Sequence, residues 1–105
     1  MVKPVGTLAD ALARIASVEP EIRSLGVERL ALFGSVLRGS PEPDSDVDLL
    51  VAFAEGAKTY ERFLALSDLL EVQLGRRVEL VTTEALSPFL GPRILADARD
   101  VVRAR

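Results

Sequence analysis

GSVLRGSPEPDSDVD, the segment from Gly34 to Asp48, separates two apolar runs of the chain. RLALF precedes the segment, and VDLLVAF overlaps its end. Short apolar runs bounded by Gly, Pro, Asp and Ser are typical of buried strands joined by turns. The sequence therefore predicts two strands, at residues 27–33 and 46–53, with the polar residues concentrated in the loop between them.

Small and hydroxylated residues stand where the first of these strands ends. Gly34 has no side chain, so a phosphate can approach backbone N–H groups closely there, and the Ser35 hydroxyl adds a donor. Arg38 is the one cation of the segment, and phosphate contact and simple solvent exposure are about equally consistent with it. With Ser45, these residues form the predicted nucleotide-binding set.

Two acids open the second predicted strand. Asp46 and Asp48 are two positions apart, so their carboxylates point to the same face of a strand. Adjacent carboxylates repel each other unless a cation lies between them. Since the chain has no Cys or His, the oxygen ligands indicate Mg²⁺ rather than Zn²⁺. Phosphate donors followed by a metal platform are what phosphoryl or nucleotidyl transfer requires.

A third acid lies in the apolar run at residues 76–83, which predicts a third strand. Within it, Glu79 stands alone among apolar residues, and an isolated carboxylate in a buried strand costs several kcal/mol unless it is paired or bound to metal. Glu79 is therefore predicted as the third metal ligand and catalytic carboxylate. The alternatives are an edge strand whose Glu79 faces water, or pairing with Arg76 or Arg77.

The remaining elements are predicted helices. Thr7 is a candidate N-cap with Asp10 as its capping-box partner, Pro20 ends this helix and begins a short second one, and Thr59 begins a helix that Gly75 ends. A final helical pattern runs from Pro92 to Val102. Together these elements predict an α/β (α+β) domain: a small mixed sheet of three strands, with helices packed on one face and the carboxylates at the other.

Length and composition limit the function classes. The 105 residues predict a single domain spanning 1–105. A net charge of −3 argues against direct nucleic-acid binding, and the lack of cysteine excludes disulfides and thiolate metal sites. No apolar run reaches membrane-spanning length and the N-terminus lacks a signal-peptide pattern, so we expect a cytoplasmic protein without membrane contact.

The motif also resembles a known family. Gly-Ser, ten residues and Asp-x-Asp resemble the signature of the DNA polymerase β-like nucleotidyltransferase superfamily, and LALFGSVLRG and SDVDLLV resemble the minimal nucleotidyltransferases, the antitoxins of HEPN/MNT toxin–antitoxin pairs. The resemblance implies a polymerase β palm-like fold, Mg²⁺ as cofactor, ATP as nucleotide donor and a third carboxylate at Glu79. Minimal nucleotidyltransferases usually have Asp at that position, so Glu79 is a departure.

The resemblance further implies a reaction and a partner. It predicts transfer of AMP from ATP to a hydroxyl, that of a tyrosine, on a HEPN-domain RNase toxin, which is thereby neutralised. One alternative is a non-catalytic antitoxin that blocks the toxin by binding, which Glu79 in place of Asp supports and the intact Gly-Ser and Asp-x-Asp oppose. Another is the catalytic subunit of a small-molecule nucleotidyltransferase.

Overall fold

A computed structural model describes residues 3–34, 46–86, 89 and 91–103 of the chain. In chain order the elements are α1 (Leu8–Ala16), α2 (Glu19–Ser24), β1 (Val27–Phe33), β2 (Val47–Phe53), α3 (Tyr60–Leu74), β3 (Val78–Thr82), a 3₁₀ turn (Thr83–Ala85), α4 (Gly91–Asp97) and β4 (Arg99–Val102). In the part described, no helix is long and apolar enough to cross a membrane.

The strands form one mixed sheet in the order β3-β2-β1-β4. β1 is antiparallel to both of its neighbours, whereas β2 and β3 run parallel. Parallel neighbours need a long crossover connection, which α3 supplies. The predicted mixed α/β architecture is confirmed, and the parallel pair brings the starts of β2 and β3 side by side.

The predicted final helix is wrong over its second half. α4 ends at Asp97, and residues 99–102 form β4, a fourth strand of a sheet predicted to have three. Val102 is fully buried opposite Leu30 of β1, and β-branched residues pack well on a pleated surface. Apolar residues at helical spacing in a segment this short are equally compatible with a helical turn followed by a strand.

Helices α1, α2 and α3 cover one face of the sheet. Their buried side chains share a core with Val47, Leu49 and Val51, each fully buried on alternate positions of β2. Because side chains alternate along a strand, Asp48 lies on the opposite face. Helices α1, α2 and α3 are therefore packed on one face, as predicted.

Threonine hydroxyls cap both of the helices for which the sequence predicts them. The Oγ1 atoms of Thr7 and Thr59 accept hydrogen bonds of 3.1 Å from the backbone N–H groups three residues later. The predicted capping box is wrong, however, because the Asp10 carboxylate pairs with Arg14 at 2.9 Å, one turn further along α1. An ion pair at this spacing lies on the helix surface and leaves the cap to the hydroxyl.

Replacing Thr59 with alanine is expected to lower the free energy of unfolding by about 1 kcal/mol, because a backbone N–H at the start of α3 loses its acceptor. Urea unfolding followed by circular dichroism measures the change. Thr59→Ser keeps the acceptor and serves as the matched control. If the serine variant loses as much stability as the alanine variant, the threonine methyl group and not the cap is responsible.

Candidate active site

The site begins where β1 ends, at Gly34. This glycine has a φ of +78°, a left-handed conformation that L side chains rarely adopt. A Cβ atom there would lie 2.9 Å from Cγ of Asp48 and closer still to a carboxylate oxygen. The antiparallel register places Phe33 opposite Asp48, so Gly34 follows directly beside it. The glycine therefore provides the space in which the Asp48 carboxylate lies.

The parallel pairing of β2 with β3 brings the second and third predicted acids together. Asp48 is the register partner of Glu79, and Val47 is the partner of Val78. One position earlier, the Val47 N–H donates a 2.8 Å hydrogen bond to the carbonyl of Arg77, which fixes the start of β3 beside Asp46. Asp46 and Asp48 thus face Arg77 and Glu79 across two adjacent strands.

Glu79 lies beside Asp48, but it is not the buried, isolated carboxylate that the sequence predicts. β3 is at the edge of the sheet and Glu79 is exposed, so the inference from a buried, isolated carboxylate is wrong. The alternative of a water-facing edge strand is correct. The register with β2 is what places Glu79 beside Asp48, and its catalytic role stays a prediction.

Arg77 is a residue of the candidate site for which the sequence predicts only a possible pairing with Glu79. Its guanidinium pairs instead with Asp46, with 3.5 Å between Nε and Oδ1. A signal was present in the sequence: Arg77 precedes Glu79 by two residues, as Asp46 precedes Asp48. In a parallel pair with those acids in register, this spacing places the guanidinium opposite the first acid.

The predicted ligands fit a hard divalent cation by their chemistry. Asp46, Asp48 and Glu79 offer only carboxylate oxygens from adjacent strands, the ligand type that Mg²⁺ prefers. Nevertheless, in the described part of the chain no three acidic side chains come together closely enough to hold a metal ion. Metal binding therefore requires these carboxylates to turn toward a common point.

The other predicted nucleotide-binding residues cannot be placed in this geometry. Ser35, Arg38 and Ser45 lie outside the described residues. Of the predicted set, only Gly34 is described, and its backbone lies directly against the Asp48 side chain.

A cavity of about 580 Å³ lies at the other end of β3. Its apolar lining comes from Phe63, Leu80, Val81 and Ala85, with Lys58 at its edge. Lys58 pairs with Glu84 at 3.4 Å. A hydrogen bond from its own backbone N–H, aided by Lys58, lowers the pKa of the Glu84 carboxyl. None of the three predicted acids, Asp46, Asp48 and Glu79, lines this cavity.

Comparison with known proteins decides the family. The sequence profile of the family described as Nucleotidyltransferase domain matches residues 15–101. The chain belongs to this nucleotidyltransferase family. Its Gly-Ser and Asp-x-Asp motif and the strands β1, β2 and β3 lie within the matched range.

Two similar proteins are close enough in sequence to be compared as relatives of this nucleotidyltransferase. Protein adenylyltransferase MntA of Thermococcus cleftensis is 35% identical over 92 residues, which cover 87% of this chain and 92% of the relative. A solved structure described provisionally as a minimal nucleotidyltransferase is 40% identical, with a TM-score of 0.77 and coverage of 88% of this chain and 93% of that chain.

A more distant likeness extends the fold comparison. A complex described as a tri-AMPylated Shewanella oneidensis HEPN toxin with its MNT antitoxin contains a matching chain, with a TM-score of 0.63 over 90% of this chain and 73% of that chain. At 18% identity, this match shows that the matching chain of the complex and this protein share a fold.

Proposed function

We propose that this nucleotidyltransferase transfers AMP from ATP to a tyrosine hydroxyl of a partner HEPN-domain toxin and thereby neutralises it. The observation that carries the proposal is the β2–β3 register, which sets Asp48 beside Glu79 while Gly34 makes room for the Asp48 carboxylate. The relative named protein adenylyltransferase MntA and the AMPylated toxin complex support the nucleotide and the partner.

In the proposed reaction the tyrosine oxygen forms a bond to the α-phosphorus of ATP. The bond from that phosphorus to the oxygen bridging to the β-phosphate breaks, and pyrophosphate leaves with the electron pair. The hydroxyl proton passes to the Glu79 carboxylate and then to water. Glu79 suits this role because it is exposed on an edge strand, where the acceptor group of a second protein can come within hydrogen-bond reach.

The other residues bind and orient the nucleotide. Asp46 and Asp48 would hold Mg²⁺, which when bound neutralises the charge of the phosphates. The predicted phosphate contacts are the Gly34 and Ser35 backbone and hydroxyl, with Arg38 and Ser45. Because catalysis of this kind rests mainly on positioning and charge neutralisation, a small domain that orders these groups is sufficient.

A protein acceptor fits the accessibility of the site. The side chain of Asp46 is 41% exposed, Glu79 is exposed, and helices α1 to α3 all pack on the opposite face of the sheet. A large partner can therefore reach the acids. The net charge of −3 gives no general attraction for the phosphates of a nucleic acid.

A second candidate function is a non-catalytic antitoxin that blocks the toxin by binding alone. One observation favours it: the described acids do not come together as a ready-made metal site, and Asp46 is already paired with a guanidinium. In this case the nucleotidyltransferase fold would supply a docking surface and no reaction.

The intact mass of the toxin distinguishes the two functions. The expected partner, a HEPN toxin encoded by a neighbouring gene, is co-expressed with the wild-type chain or with Asp46→Ala/Asp48→Ala, and each complex is isolated by gel filtration. We expect the toxin to gain one or more adenosine monophosphate units only with the wild-type chain. An unmodified toxin that stays bound and inactive with both chains would establish the binding antitoxin instead.

A further inference from the structure

Arg77 brings a positive charge to the acidic site, beside Asp46. Its backbone is fixed by the hydrogen bond from Val47, and its guanidinium lies 3.5 Å from the Asp46 carboxylate. The neighbouring register pair, Asp48 and Glu79, is acidic on both strands. A guanidinium stays charged at all physiological pH values, so it offsets part of the repulsion among three carboxylates when no metal is present.

We propose that Arg77 is an exchangeable counter-ion of the metal site: it pairs with Asp46 in the free protein, is displaced from that carboxylate when a divalent cation binds, and then contacts the phosphates of the nucleotide. The proposal rests on the proposed function, because it takes Asp46, together with Asp48, as a metal ligand. It makes Arg77 a nucleotide-binding residue whose guanidinium competes with the metal for Asp46 in the free protein.

The exposure of the pair explains why it can exchange. The Arg77 side chain is 83% exposed and that of Asp46 41%, and an ion pair in water contributes little to stability. A divalent cation that requires the same carboxylate therefore meets only a weak competitor. Once displaced, a guanidinium on this face presents several N–H donors in the planar geometry that phosphate oxygens accept.

A purely structural role is not supported by the contacts of Arg77. Across the described residues, Asp46 is its one ion-pair partner, and its backbone hydrogen bond does not depend on its side chain. Removal of the guanidinium should therefore leave the sheet intact while changing the charge at the acids.

The test measures two affinities of the Arg77→Gln variant. Free Mn²⁺, followed by electron paramagnetic resonance without nucleotide, is expected to bind about three- to tenfold more tightly, because the competing charge is gone. A non-hydrolysable ATP analogue, titrated calorimetrically at saturating Mn²⁺, is expected to bind about three- to tenfold more weakly, because a phosphate contact is lost.

Two further variants identify the cause. Arg93→Gln makes the same change in net charge at an exposed position of α4, a helix that carries none of the predicted site residues, and should alter neither affinity. Arg77→Lys keeps the positive charge but lacks the planar arrangement of guanidinium N–H donors. Mn²⁺ should therefore bind as in the wild type, while the ATP analogue should bind more weakly. Equal shifts in Arg93→Gln would show a general charge effect and overturn the proposal.

The proposal predicts that Arg77→Gln changes the two affinities in opposite directions, with Mn²⁺ bound more tightly and the ATP analogue more weakly. If Arg77→Gln weakens both affinities, strengthens both or changes neither, Arg77 is not an exchangeable counter-ion. Neither measurement requires AMP transfer. Shifts of opposite sign in a protein that leaves its toxin unmodified would therefore support the counter-ion while the proposed transferase activity failed.

Discussion

Asp48→Asn is expected to lower the rate of AMP transfer about a thousandfold, the upper range for loss of one electrostatic contact in an active site. Asparagine has nearly the same shape, so it still fits against Gly34 and opposite Glu79. What it loses is the negative charge with which Asp48 would hold the cation. Single-turnover transfer to the toxin, followed by intact mass, measures the rate.

The matched control for this variant is Asp68→Asn, which removes an exposed acid from α3 on the opposite side of the sheet. It should transfer AMP at the wild-type rate. Mn²⁺ binding should weaken in Asp48→Asn and stay unchanged in the control. Transfer within a few-fold of wild type in Asp48→Asn would mean that the charge of Asp48 is not part of the machinery.

Gly34→Ala is expected to damage both stability and activity. The φ of +78° is unfavourable for alanine and costs about 1–2 kcal/mol of unfolding free energy. The new Cβ would also displace the Asp48 carboxylate, and a misplacement of about 1 Å can lower a rate about a hundredfold. Denaturant unfolding and single-turnover transfer measure the two effects.

Gly56→Ala is a control that separates backbone strain from the displacement of the Asp48 carboxylate. Its φ of +77° matches that of Gly34, but a Cβ there would meet nothing within 4 Å. Gly56→Ala should therefore carry a similar stability loss and retain full transfer activity. If both alanine variants lose activity equally, backbone strain and not contact with Asp48 explains the loss.

The local elements could be predicted from the sequence because their signals are local. The strand at 27–33 follows from an apolar run between turn residues. The bounds of α3 follow from the Thr59 cap at its start and from Gly75, which has a φ of +65°, at its end. The shared face of Asp46 and Asp48 follows from strand geometry alone.

The remaining features depend on contacts between distant parts of the chain. Whether residues 99–102 continue a helix or pair with β1 depends on the open edge of β1, which the segment itself does not encode. The exposure of Glu79 depends on β3 being an edge strand. The ion pair of Arg77 with Asp46 depends on the parallel register that the α3 crossover permits.

The edge position of β3 has an evolutionary consequence. Glu79 is exposed, so substitutions there disturb few packing contacts and should change fold stability little. Asp48, by contrast, lies between two fully buried neighbours on β2 and against Gly34. Selection can therefore change residue 79 while the scaffold persists, and exchange between Glu and Asp at this position is expected to cost little stability.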